Sequence, residues 1–238
     1  MTDTALLIAT IADLIGDAGH VCTGALSPVP MAAALLAQRR SAGRMRVTAL
    51  GSRRHNRFTD GGKELFDCAA QGRIDVFFLS GVQIDGEANI NLVGLGDPDR
   101  PSLRFGGSFG SPYLYMLVPR VILFRPAHDR RALVRRVDYV SAPGWSPPGV
   151  YRPGGPQALV TGRCVFNWQS ERRRFALRSA HPGETADTIR GATGFHYDEP
   201  DQVPTTPPPD AATRAEIAAI VREEVAETYP RFAEEFRA

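Results

Sequence analysis

The sequence of 238 residues is poor in lysine and cysteine and contains no long hydrophobic run. Lys63 is its single lysine, so nearly all of the 28 basic side chains are arginines, and the formal net charge is only +2. Such a small excess does not favour nucleic acid or a membrane surface as a partner. No apolar stretch is long enough to span a membrane, and residues 1–7 lack the basic region of a secretion signal. We therefore expect a cytoplasmic protein.

The three cysteines, Cys22, Cys68 and Cys164, are far apart and odd in number, and no Cys-x-x-Cys spacing occurs. This favours reduced thiols over disulfides and gives no reason to expect a metal site. A Gly-x-Gly-x-x-Gly motif after the first predicted strand is also missing, which disfavours a dinucleotide-binding domain.

Short apolar runs alternate with helical patterns along the first third of the chain. The spacing over residues 4–16 predicts an amphipathic helix, and the runs at 20–24, 46–50 and 76–79 predict strands. This alternation predicts an α/β fold, an open and mostly parallel twisted sheet with flanking helices. Residues 159–178 contain further apparent strands separated by short turns, so we expect an antiparallel addition toward the C-terminus.

The composition changes near residue 200, where a proline-rich stretch begins. We expect residues 1–199 to form the α/β domain and residues 200–238 to form a linker and a C-terminal helix. Asp210 is a suitable N-cap for that helix, which is predicted to run through Glu227.

Short polar side chains follow the apolar strand at 76–79. The chain stops at Gly81 and then presents Gln83, Asp85, Asn89 and Asn91. Open α/β sheets bind ligands at the carboxyl ends of their strands, so this position favours a binding site.

A glycine-rich turn at residues 106–110 precedes a predicted helix, with Ser111 as its N-cap and Pro112 at its first position. Backbone N–H groups in such a loop are able to hold a phosphate or a developing oxyanion. A turn that only reverses the chain is the alternative that this pattern leaves open.

The loop after the strand at 46–50 carries Arg53, Arg54, His55 and Arg57, with no carboxylate before Asp60. These cations are suited to an anionic substrate, but a solvated arginine loop is the simpler explanation. We therefore leave open whether Arg53, Arg54 and Arg57 contact a substrate.

Taken in order, several short segments resemble the β subunits of family I CoA-transferases of the glutaconate CoA-transferase type. They are Gly-Val-Gln-Ile-Asp at 81–85, Asn-Ile-Asn at 89–91, Gly-Ser-Phe-Gly at 107–110, Val-Asp-Tyr-Val-Ser-Ala-Pro-Gly-Trp at 137–145, Val-Thr at 160–161, Val-Phe at 165–166 and Thr-Gly-Phe at 193–195. The resemblance implies an open α/β fold and an α-type partner subunit, in a heterodimer or an α2β2 assembly. It also implies a coenzyme A thioester as substrate, with no bound cofactor.

The same resemblance assigns the candidate site. Gly81, Gln83, Asn89, Gly107, Ser108 and Gly110 are expected to bind the CoA ester. The Gly110 N–H is the candidate oxyanion donor, and we expect a backbone with positive φ at this glycine.

One departure from the family pattern decides the expected chemistry. The family's transferases carry a nucleophilic glutamate just after the strand that matches residues 46–50, whereas Gly51, Ser52 and Arg53 stand here. Glu64 lies inside a predicted helix and does not replace it. The resemblance therefore points to the related two-subunit hydrolases of bacterial steroid-ring degradation, whose acid/base glutamate belongs to the α subunit. We expect a CoA-ester hydrolase or ring-opening enzyme. The alternatives are a CoA-transferase of the glutaconate or 3-oxoacid type, with its glutamate supplied from elsewhere, and a non-catalytic subunit that binds CoA esters.

Overall fold

The computed structural model describes residues 3–236, and these residues form two compact units. The first unit comprises the described residues up to Phe78 together with those from Pro207 onward, and the second is Leu79–Thr206. The C-terminal segment thus packs with the N-terminal part of the chain. The boundary expected at residue 200 concerns segments that fold independently, and it stays a prediction.

Three parallel strands joined by helices make up the first unit. Its N-terminal elements are α1 (Thr4–Ile15), β1 (His20–Thr23), α2 (Pro28–Arg40), β2 (Arg46–Ala49), α3 (Gly61–Ala70) and β3 (Val76–Leu79), at whose end the chain enters the second unit. β1 lies between β2 and β3 and pairs in parallel with both. A helix lies in each connection, as the alternating pattern predicts.

The second unit combines one larger set of strands with two small hairpin-like sheets. In chain order it contains β4 (Gln83–Ile84), β5 (Ile90–Asn91), β6 (Gly94–Gly96), β7 (Pro101–Arg104), α4 (Ser111–Leu117), β8 (Arg120–Arg125), β9 (Pro156–Thr161), β10 (Cys164–Gln169), β11 (Arg174–Ala180) and α5 (Ala186–Ala192). β8 and β9 are parallel, whereas β9 with β10 and β10 with β11 are antiparallel. The predicted α/β fold with an antiparallel C-terminal addition is confirmed.

An aromatic cluster fills the core beside β10 and β11. The ring of Phe166 lies 5.9 Å from the rings of both Phe175 and Phe195, and all three side chains are buried. Gly194 brings Phe195 to this position, because its N–H donates to Leu133 O at 2.8 Å. A Cβ at residue 194 would stand 2.3 Å from that same oxygen. The Thr-Gly-Phe segment therefore has a packing function in this fold.

The C-terminal segment forms α6 (Ala211–Ile220), a π-helical turn (Val221–Val225) and α7 (Pro230–Glu235). Asp210 is the N-cap of α6, as predicted, and its side chain accepts a hydrogen bond from Thr213 N at 2.8 Å. The α-helix does not continue to Glu227, since the π-helical turn begins after Ile220. None of the described helices is long and apolar enough to cross a membrane.

Helix α1 is buried on nearly every side, so the prediction of an amphipathic helix is wrong in this respect. All residues from Ala5 to Ala12 are buried, as are Leu14 and Ile15. The helix packs against α2 and also against α6. Arg214 of α6 forms an ion pair of 2.6 Å with Asp3, the N-cap of α1.

Candidate functional site

The segment that enters β4 is tightly packed. A Cβ on Gly81 would stand 2.5 Å from Ile90 Cγ2, so only glycine fits there without movement. Gln83 follows with only 7% of its surface exposed. Its Oε1 accepts hydrogen bonds from Asn91 Nδ2 at 2.7 Å and from Asp138 N at 2.9 Å. The side-chain oxygen of Gln83 therefore holds the Asn91 side chain and the Asp138 backbone in place. The expected contact of Gln83 with the substrate stays a prediction.

Asp85 and Asn89 close the turn between β4 and β5. Asp85 is 3% exposed, and its Oδ1 accepts from the N–H groups of Glu87 and Asn89 at 3.1 and 3.0 Å. Its Oδ2 accepts from Asn89 Nδ2 at 3.2 Å. Burial raises the pKa of Asp85, while these hydrogen bonds oppose the shift. Asn89 Oδ1 also accepts from Gly144 N at 3.1 Å, so this half-buried amide connects the turn to a second loop.

The glycine loop has its left-handed residues at other positions than expected. Gly107 has φ +94° and Phe109 has φ +46°, whereas Gly110 has φ −90°. The expectation of a positive φ at Gly110 is therefore wrong. Gly110, not Ser111, is the N-cap of α4, and Ser111 and Pro112 occupy the first two helical positions.

Two backbone hydrogen bonds fix the end of this loop at the start of α4. Ser111 N donates to Ser108 O at 2.8 Å, and Leu114 N donates to Gly110 O at 3.0 Å. Neither bond uses the Gly110 N–H. Because α4 has only seven residues, its dipole is a small contribution, and any anion binding here depends on the individual N–H groups.

Tyr115 connects the glycine loop to the turn that holds Asn89. Its buried hydroxyl donates to Ala88 O at 2.9 Å, and the Arg152 guanidinium lies 5.2 Å from the centre of its ring. Burial raises the pKa of Tyr115 well above its usual value, so the hydroxyl remains a donor at neutral pH. The predicted residues at 81–89 and 107–110 thus belong to the second unit. A hydrogen bond from α4, the helix after the glycine loop, reaches the turn that holds Asn89.

In the first unit, the loop after β2 contacts a carboxylate of the C-terminal segment, Glu227, which the sequence does not indicate. Ser52, 3% exposed, donates from Oγ to Glu227 Oε2 at 2.9 Å and accepts from His55 N at 3.0 Å. Arg53 N donates to Glu227 Oε1 at 3.0 Å. The pKa of Glu227 is lowered, first by a hydrogen bond from Thr228 and then by the one from Arg53. Nothing local in the sequence indicates this contact.

Two members of the cationic cluster face the same C-terminal segment. Arg54 donates to the carbonyl of Glu223 at 3.4 Å, and His55 Nε2 lies 3.2 Å from Glu224. Glu224 also forms an ion pair of 2.8 Å with Arg39. Burial lowers the pKa of His55 despite this carboxylate. Arg54 and His55 therefore contact the C-terminal segment, and contact of Arg53, Arg54 or Arg57 with a substrate stays open.

Within the part of the chain that the structure describes, the buried cysteines and the possible metal ligands do not form a further reactive or metal site. Within residues 3–236, no group of three or more His, Cys, Asp or Glu side chains is placed to hold a metal ion. Cys22 and Cys164 are buried, and burial raises the pKa of each thiol to about 12. Thiols in this state are poor nucleophiles at neutral pH.

A family model described as Coenzyme A transferase matches residues 1–192. The glutaconate CoA-transferase B-subunit from Acidaminococcus fermentans is 29% identical over 157 residues, which are 63% of this chain and 56% of the relative. The matched region thus spans little more than half of that relative. The cholesterol ring-cleaving hydrolase IpdB subunit of Rhodococcus jostii is 26% identical over 199 residues, 77% of this chain and 78% of the relative.

Solved structures share the fold over almost the whole chain. The crystal structure of the decarboxylase AibA/AibB superposes with a TM-score of 0.79 at 25% identity, covering 94% of this chain and 97% of the other. The glutaconate CoA-transferase of Acidaminococcus fermentans gives a TM-score of 0.82 over the full length of this chain and 98% of that one. Its 23% identity supports the fold alone.

Proposed function

This chain belongs to the coenzyme A transferase family, and we propose that it is the β-type subunit of a heteromeric enzyme that acts on an acyl-CoA thioester. Support for a partner comes from the relatives, which are named as subunits or as a pair of chains. The proposed reaction is hydrolysis or hydrolytic ring opening, with the acid/base glutamate supplied by an α-type subunit. The proposed assembly is a heterodimer or an α2β2 complex.

One observation carries the choice of a hydrolase. The loop after β2 has Gly51, Ser52 and Arg53 where the family's transferases have a nucleophilic glutamate. Ser52 does not substitute for it, because its hydroxyl is buried and engaged with both Glu227 and His55. Without a covalent acceptor for the acyl group, water is the simplest nucleophile, and a thioester is then hydrolysed instead of exchanged.

The proposed part of this chain in the reaction is electrostatic. For ring opening of a cyclic β-keto acyl-CoA, hydroxide adds to the ketone carbon and the bond from this carbon to the α carbon breaks. This gives a carboxylic acid and the enolate of the thioester, whose α carbon then takes a proton. The Gly110 N–H is the proposed donor to the enolate oxygen, and one such donor typically stabilises a transition state by about 3 kcal/mol.

Glu227 is the observation that favours the second candidate, a CoA-transferase. Its carboxylate lies at the loop where the transferase glutamate is missing. However, both of its oxygens accept hydrogen bonds, and its lowered pKa indicates that the anion is well stabilised. A carboxylate in this state is a weak nucleophile, so the hydrolase remains our proposal.

The test uses the enzyme with its own partner, identified as the protein that co-purifies with a tagged copy of this chain. We expect a β-keto acyl-CoA to be opened or hydrolysed without any acceptor acid. Product that forms only when an acceptor carboxylate is added would establish transfer instead. Release of CO2 would indicate a decarboxylase, and calorimetric binding without turnover would indicate a non-catalytic subunit.

A further inference from the structure

The second unit contains a groove of about 820 Å³ that is rich in arginine. Five arginines line it: Arg135, Arg136, Arg172, Arg173 and Arg174. We call it the arginine groove. Asn89 and Trp145 also line it. The groove is separate from the glycine loop, and none of the site residues expected from the sequence except Asn89 lines it.

The positive charge of the arginine groove is only partly neutralised. Arg172 and Arg174 share a single carboxylate, Asp198. Arg135 and Arg136 are exposed and form no ion pair with any carboxylate of residues 3–236. Two carboxylates also line the groove: Asp85, which the turn of β4 and β5 holds by hydrogen bonds, and Glu87, which accepts from Trp145 Nε1. The five arginines of the groove therefore outnumber the carboxylates around them, Asp85, Glu87 and Asp198.

The turn between β10 and β11 brings like charges together in this groove. Three successive arginines lie where the turn between β10 and β11 ends, and like charges this close repel each other. Arg173 also has φ +50°, a conformation that non-glycine residues rarely adopt. Its guanidinium lies 3.9 Å from the centre of the Trp145 ring, and Trp145 Nε1 donates to Glu87 Oε2 at 3.0 Å. The stack holds one cation in a fixed orientation beside the others.

We infer that the arginine groove binds the phosphate groups at the nucleotide end of the substrate. This inference rests on the proposed function, because coenzyme A carries a diphosphate and a further phosphate on its ribose. Guanidinium groups bind phosphate oxygens with two parallel hydrogen bonds, and a concave site with several of them is suited to a polyanion. Asn89 lines the groove, and the carbonyl of the adjacent Ala88 accepts a hydrogen bond from Tyr115. Tyr115 belongs to α4, the helix that follows the glycine loop.

The experiment compares two substrates with the same acyl group, the CoA thioester and the pantetheine thioester, which lacks the nucleotide. In the assembled enzyme, the double variant Arg135→Gln/Arg136→Gln is expected to lower the ratio of the two kcat/KM values about tenfold or more, through the KM of the CoA thioester. Arg173→Gln should act in the same direction. Arg178→Gln is the matched control, since Arg178 is exposed on β11 but does not line the groove.

An unchanged ratio, or an equal loss with both substrates, would overturn the inference. Loss of the partner subunit from the purified double variant would also overturn it, by assigning these arginines to a protein interface.

If the wild-type enzyme turns over neither thioester, the proposed function fails, and the groove is then tested separately. Calorimetry of the complete chain with 3′-phosphoadenosine 5′-diphosphate should show binding that the double variant weakens at least tenfold. Binding that is absent from the wild type, or equally strong in both proteins, would show that the arginine groove does not bind these phosphates.

Discussion

Ser52 and Glu227 are joined by a hydrogen bond of 2.9 Å although 175 residues separate them in the sequence. The same carboxylate accepts the Arg53 N–H, so the C-terminal segment fixes the conformation of the loop after β2. This is the loop in which the chain departs from the transferases of its family. The Glu227 carboxylate thus lies beside the loop, but both of its oxygens accept hydrogen bonds from loop residues.

Replacing Glu227 tests whether its carboxylate stabilises the fold or takes part in the reaction. Glu227→Gln keeps the size of the side chain but loses the charge and one acceptor, so we expect a melting temperature lower by a few degrees. Turnover of the assembled enzyme should stay within a few-fold of wild type. The measurements are thermal unfolding and steady-state kinetics, combined with hydroxylamine trapping of any glutamyl-CoA thioester. A trapped thioester on Glu227, together with loss of turnover in the variant, would support the transferase.

The glycine loop offers a matched pair of substitutions. Because Gly110 has φ −90°, alanine is compatible with its backbone, and Gly110→Ala should change the melting temperature by only a few degrees. Its Cβ would stand beside the proposed oxyanion donor, so we expect turnover to fall about a hundredfold or more. Unchanged turnover would place the oxyanion site elsewhere, and unfolding would show that the glycine serves the turn.

Gly107→Ala is expected to give the opposite pattern. Gly107 has φ +94°, and its added Cβ would meet no atom within 4 Å, so the cost is backbone strain alone. We expect a loss of about 1 kcal/mol in the free energy of unfolding, measured by urea denaturation, with a smaller effect on turnover than Gly110→Ala has. A larger catalytic effect at Gly107 than at Gly110 would contradict the assignment of the donor.

The features that sequence predicts correctly are local ones. Asp210 caps α6 as expected, because an N-cap depends only on residues three or four positions away. The parallel strands predicted at 20–24, 46–50 and 76–79 and the antiparallel strands within 159–178 also follow from short apolar runs and connection lengths, whereas the short strands β4 to β7 are not predicted. The resemblance to the family identifies the glycine loop, although it does not give the φ angles of individual glycines.

The features that sequence misses depend on distant segments. Helix α1 has a helical pattern of apolar residues, but α6 covers a further face of it, and no property of residues 4–16 indicates this. The contact of Glu227 with Ser52 is of the same kind. The arginine groove likewise combines the segment at 135–136 with the strand turn at 172–174, and neither segment carries a recognised motif.

Asn89 tests whether the turn between β4 and β5 contacts the CoA ester. Asn89→Ala removes the hydrogen bonds to Asp85 and Gly144, so we expect a loss of about 1–2 kcal/mol in stability. In the assembled enzyme, the KM for the CoA ester should also rise. Asn91→Ala is the control, since Asn91 is fully buried and its side chain forms hydrogen bonds with Gln83, Val93 and Gly94. An equal change of KM in both variants, or none in either, would show that Asn89 does not contact the CoA ester.

The buried His128 makes the stability of the second unit depend on pH. Its ring nitrogens contact Thr161 Oγ1 at 2.8 Å and Thr193 Oγ1 at 3.0 Å, and burial lowers its pKa from 6.5 to about 4. Between these pH values the unfolded chain binds a proton that the folded chain does not. Stability therefore rises with pH across this window and is lost as the pH falls from about 6.5 to about 4. At full effect the contribution is about 3 kcal/mol.

We expect His128→Gln to reduce the pH dependence of the urea denaturation midpoint between pH 6.5 and pH 4, because the glutamine side chain does not titrate. Some dependence should remain, since burial also lowers the pKa of His20 and His55. His196→Gln is the control at an exposed histidine and should leave the wild-type profile in place. If His128→Gln keeps the full dependence of the wild type, the proton taken up on unfolding belongs to another group. A steeper dependence in the variant would mean that His128 is already charged in the folded chain.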